Sequence, residues 1–128
     1  MIENAAAPLD RFGRFLMENL RDRCIDHFDV LAQGKWRSPN LEALQAEVAG
    51  MGAKEREVIR RCIVAALDGA IHDFCFKLQE LADFENDIQV LVAGENIVPF
   101  SHGIHGELFG DDGWRARFSK HGEPSHPA

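Results

Sequence analysis

Ser101-His102-Gly103-Ile104-His105-Gly106-Glu107 places two imidazoles and a carboxylate within one short stretch, with Asp111 and Asp112 just downstream. Imidazole and carboxylate are the ligands that Zn²⁺ prefers, so His102, His105 and Glu107 are candidate metal ligands. The spacing opposes the idea. On an extended chain, residues three apart point to opposite faces, which parts His102 from His105. Structural or surface roles are therefore expected for these three side chains, and no cofactor is assigned.

Asp68, His72 and Asp73 form a second cluster, in a helical pattern. Asp68 and His72 stand one turn apart, the spacing at which a carboxylate can orient a histidine as a general base. A boundary polar pair looks the same in sequence and is the commoner use of that spacing. Asp26-His27 repeats the pair of residue types earlier in the chain. Phosphate-loop, dinucleotide, nucleophile-elbow and H-E-x-x-H patterns are all absent, so catalysis has no positive signature.

Two aromatic residues suit binding. Trp36 lies between Lys35 and Arg37 in a loop, and Phe109 falls beside Arg115 if the last strands pair as described below. Trp and Arg are favoured at the centres of protein interfaces. Trp36, Phe109 and Arg115 are thus the candidate partner-binding residues. The competing expectation for Trp36 is that it folds back to plug the end of the helical layer.

Composition narrows the classes. The 128 residues carry 14 Lys and Arg against 21 Asp and Glu, a net charge of −7. Such a balance opposes binding to nucleic acid and favours a basic protein partner. No apolar run is long enough to cross a membrane. The segment MIENAAAPLDRF has neither the basic nor the apolar region of a secretion signal. The three cysteines, Cys24, Cys62 and Cys75, are odd in number and unpaired in spacing, as free thiols in a reducing cytoplasm would be. Cys62 follows Arg60-Arg61 and is the one mild candidate for a reactive thiol.

The elements that must position these groups read as α+β, in a single domain over 1–128. A helix is expected over about 9–32, from the stripe Phe12, Leu16, Leu20, Cys24, Phe28 and Leu31. Gly13 stands inside it as an exception that should weaken the first turn. A short helix over about 39–49 begins at Ser38-Pro39, and a long central one, apolar on most sides, covers about 53–82. Residues 87–119 read as a four-stranded antiparallel meander packed under the three helices. Its first hairpin turns at Gly94-Glu95. Its second turns at Asp111-Asp112-Gly113, setting Glu107 opposite Arg117 and Phe109 opposite Arg115. Residues 120–128 form a loose tail.

The succession LRDRCIDHFDVLAQGKWRSPNLEALQ, VIRRCIVAALDGAIHDF and SHGIHGELFGDDGW resembles a small bacterial domain family of unknown function, over most of the chain. That resemblance implies no activity and no functional residue. In size and charge the chain is also similar to immunity proteins that neutralise bacterial toxins. The expectation is a small acidic cytoplasmic protein that binds another protein without catalysis. The alternative is a metal-assisted or general-base enzyme, and a homodimer through a sheet face left bare by the helices is a third expectation.

Overall fold

A computed structural model describes residues 7–85 and 87–122. The first helical run begins as α1 (Ala7–Leu16) and passes through a π-helical turn, Met17–Arg21. It continues as α2 (Asp22–Ala32). A loop and a 3-10 turn at Pro39–Leu41 lead into α3 (Glu42–Ala49). The long helix α4 (Ala53–Phe84) follows, close to the span expected from the sequence.

The π turn changes which side chains face inward. The buried series is Leu9, Gly13, Leu16, Met17, Arg21, Asp22, Ile25 and Phe28. The adjacent pair Leu16-Met17 recurs as Arg21-Asp22, a shift of five residues where a regular helix would use three or four. Leu20, part of the expected apolar stripe, is turned to solvent, and Arg21 takes the inward position.

The expected four-stranded meander is absent, and the described chain is mainly helical. Residues 91–96 form the whole sheet, a hairpin of β1 (Leu91–Val92) and β2 (Glu95–Asn96). Its turn is Ala93-Gly94, with φ of 52° and 85°, so Val92 pairs with Glu95 and Leu91 with Asn96. Positive φ at both central residues marks the turn type that matches strand twist. The expected Gly94-Glu95 turn is thus one residue out of register.

Downstream, two 3-10 turns (Val98–Phe100 and Ile104–Glu107) and a short helix α5 (Trp114–Phe118) replace the second hairpin. Side chains do the work of a ladder here. Gln79 of α4 accepts from the Ile104 N–H at 2.9 Å, Asn96 accepts from Val98 N–H, and Ser101 Oγ accepts from Gly103 N–H. With its amides met this way, the segment can bend so that Ile97, Val98, Ile104, Leu108 and Trp114 are all buried. Alternation in the sequence was real but served as a series of plugs into α1 and α4. Gly103 and Gly110, at φ of 151° and 97°, supply the bends.

α4 buries one side only, with Val64, Asp68, Ile71, Cys75 and Leu78 inward. It is not the all-round apolar central helix expected. Gly13 also has its reason: the indole of Trp114 lies against it, in the space that a Cβ would occupy. The expected loose tail is tied down at Lys120 and His121, while 123–128 fall outside the described residues.

Candidate functional site

Arg21 is wholly buried, and every nitrogen of its guanidinium has an acceptor. It grips Asp68 of α4 through Nε–Oδ1 at 2.6 Å and Nη2–Oδ2 at 3.2 Å. Its Nη1 donates to Ser119 Oγ at 2.9 Å and to the His121 carbonyl at 2.5 Å. Arg115 of α5 adds a second cation to Asp68, Nη1 to Oδ2 at 3.3 Å, while its guanidinium lies 4.6 Å over the ring of Phe109. The neighbouring Asp22 holds the same closing segment, accepting from Ser119 Oγ and from the Lys120 N–H. A π turn lets two successive charged residues serve one cluster. Burial is tolerable because Arg21 and Asp68 carry opposite charges and make further hydrogen bonds, and Asp22 accepts from two donors.

The cluster continues outward along α2. Asp26 takes Lys120 Nζ at 2.6 Å and His121 Nε2 at 2.8 Å. Asp29 takes Arg60 of α4 in a two-pronged pair at 2.8 and 3.1 Å. His121 Nδ1 lies 3.4 Å from Arg60 Nη2. Asp26, Asp29 and His121 offer three ligand atoms within 4.8 Å of one another, the one such grouping among the described residues. Lys120 and Arg60 already occupy those carboxylates, so an incoming metal ion would have to displace two bonded cations.

The sequence-derived candidates are distributed differently. Asp68 is turned inward to Arg21 and Arg115, away from a general-base role with His72. His72 meets Asp73 instead, Nδ1 to Oδ1 at 3.3 Å on the surface. Glu107 accepts from Ser101 Oγ at 3.0 Å, and His102 is exposed. His105 folds back onto α4, its ring 5.4 Å from His72 and 4.9 Å from Phe76. His102, His105 and Glu107 share no common point. Phe109 and Arg115 are together, as expected, but in the Arg21–Asp68 cluster and not across a hairpin.

Trp36 is half-buried. It leans on His27 with ring centres 4.8 Å apart. Buried Gln45 of α3 clamps its backbone, accepting from Trp36 N at 3.0 Å and donating to Trp36 O at 2.7 Å. Beside it runs an open groove of about 570 Å³ between the Gly34–Pro39 loop and Glu42, Ala46 and Ala49 of α3. Among the thiols, Cys62 is exposed and Cys75 buried, where burial pushes its pKa up to about 11.

Compared with protein-family models, curated proteins and solved structures, the chain matches none. Among the described residues no helix is long and apolar enough to cross a membrane.

The hydrogen bond from Lys120, then that from His121, holds the Asp26 carboxyl below its ordinary value of 3.8. A carboxyl lowered in the folded state contributes stability that is fully present above 3.8 and is lost as pH falls through the lower native value. Acidification below about pH 4 should therefore loosen residues 119–122 from α2. Hydrogen exchange at the Lys120 and His121 amides reads this directly. Asp26→Asn should abolish the pH-dependent part, and an unchanged pH profile in that variant would remove Asp26 as its source.

Proposed function

We propose that the chain is a non-enzymatic cytoplasmic protein-binding domain of the immunity or regulatory type, which meets a basic protein partner through the Trp36 loop. The observation that carries this reading is the Gln45 clamp. Both backbone polar groups of Trp36 are bonded to one buried side chain, so the loop is ordered before any partner arrives. An interface residue held in place in the free protein loses less entropy on binding. Lys35 and Arg37 flank the indole and the groove lies beside it, which suits a protein loop carrying an acidic or apolar tip. The net charge of −7 would draw in a partner that is basic elsewhere on its surface.

The alternative, a metal-assisted or general-base enzyme at His102, His105 and Glu107 or at Asp68 and His72, retains one specific observation. The buried Nδ1 of His105 has no hydrogen-bond partner among the described residues. One comparison separates the two readings. The chain is immobilised and the proteins it retains at moderate salt are identified. Trp36→Ala should weaken retention by about 2 kcal/mol or more, the scale of an interface hot spot. His105→Ala should leave retention intact. Retention undiminished by Trp36→Ala, or the absence of any retained protein, would sink the Trp36 reading.

A further inference from the structure

We propose that the Trp36 loop receives an acidic segment of its partner, laid across the loop from one groove to another. The inference rests on the reading of Trp36 as a docking residue and adds the chemistry of what docks. A second open groove, of about 640 Å³, lies between the end of α2 and the start of α4. Phe28 and Ala32 supply its apolar part, and Lys35, Arg56 and Arg60 its cations. Gly34 and Trp36 line the groove along α3, while Gln33 and Lys35 line this one. The loop is therefore a wall with a groove on either side.

Charge selects the occupant. On a chain with 21 acidic and 14 basic residues, most cations have an acid to hand, yet this wall keeps its own unpaired. Lys35, Arg37 and Arg56 make no ion pair among the described residues, and Arg56 donates to the Met51 carbonyl instead. The acids of the second groove are already taken, Asp29 by Arg60 and Glu57 by Arg61. A carboxylate arriving at Lys35, Arg37 or Arg56 thus meets a cation without displacing a bonded partner. Glu42, in the first groove, is the acid that stands without a cation, which gives the surface a direction. Carboxylates of the segment belong beside Lys35 and Arg37, and a donor belongs opposite Glu42. The net charge of −7 repels an acidic protein as a whole, so the acidity must be local to the segment.

Hexaglutamate titrated at low salt into the isotope-labelled full chain supplies the test. Nuclear magnetic resonance should show shifts at the amides of 35–37 and at the Trp36 indole N–H, fading as salt is raised. Lys35→Glu with Arg37→Glu should weaken the peptide by about tenfold, and Glu42→Lys should strengthen it. Arg11→Glu alters the net charge as much as Arg37→Glu does, but about 30 Å away along the first helical run, and should leave affinity unchanged. All four side chains are exposed, so the fold should survive each change. No shift at 35–37, shifts spread over exposed cations at large, or equal losses from Arg11→Glu and Arg37→Glu would overturn the proposal. Equal shifts from inorganic phosphate or from oligothymidylate would do the same, by assigning the surface to phosphate. A retained partner that is lost with Trp36→Ala but indifferent to Lys35→Glu and Arg37→Glu would sink the acidic segment and leave the Trp36 reading standing.

Discussion

Asp68→Ala should destabilise the fold by about 3–5 kcal/mol, because it leaves a buried cation without its partner. Arg21 has no exposed surface to fall back on, and Ser119 Oγ and the His121 carbonyl cannot neutralise it. Arg115 would lose its partner too, and its repulsion from Arg21 would go unscreened. The double variant Arg21→Met with Asp68→Leu should recover much of the loss, since an apolar pair can replace an ion pair at small cost. Chemical denaturation of the three proteins measures this. If Asp68→Ala loses less than about 1 kcal/mol, the pair is no more than a surface bridge in its effect.

Trp114→Ala should cost a comparable amount, about 3–5 kcal/mol, as the largest side chain of the core is removed. The more informative result concerns Gly13. In an open helix, Gly→Ala gains about 1 kcal/mol. Here the new methyl would strike the Trp114 indole, which also stands edge-on to Phe12 at 5.9 Å, so Gly13→Ala should cost about 1–3 kcal/mol. In the Trp114→Ala background the sign should reverse, because the methyl then fills part of the void. Thermal melts of the four members of this cycle read the coupling, and additive effects would mean that the indole does not rest on Gly13.

The helices were legible because their signals are local. Ser38-Pro39 opens the 3-10 turn before α3, and the apolar spacing of 53–82 marked α4. The π turn was hidden because no residue type encodes it. Once the step of five between Leu16 and Arg21 is missed, Leu20 and Arg21 exchange faces on paper. The second half misled for another reason. Val90 to Ile104 has strand-like residues, but backbone pairing stops at the short β1–β2 hairpin, and the amides of Val98, Gly103 and Ile104 are met by the side chains of Asn96, Ser101 and Gln79, contacts that no periodicity reveals. Of the candidate sites, the contact of Phe109 with Arg115 was expected, but from a hairpin that is absent. Arg21 and Asp22 were not, since a charged residue in a helix is by default a surface one. Gly13 carried the one available signal: a glycine inside a strong helix pattern implies something packed where its side chain would be.

The Arg21 guanidinium bonds to residues 98 and 100 positions further along the chain. A polypeptide made from its N-terminus must therefore carry that cation through the synthesis of 98 further residues before Ser119 and His121 exist to receive it. The first helix can form early, but its inward face stays electrically incomplete until residues 119–121 arrive. Nascent chains halted before residue 119 should accordingly be protease-sensitive along α1 and α2, and the gain of resistance should come late and all at once.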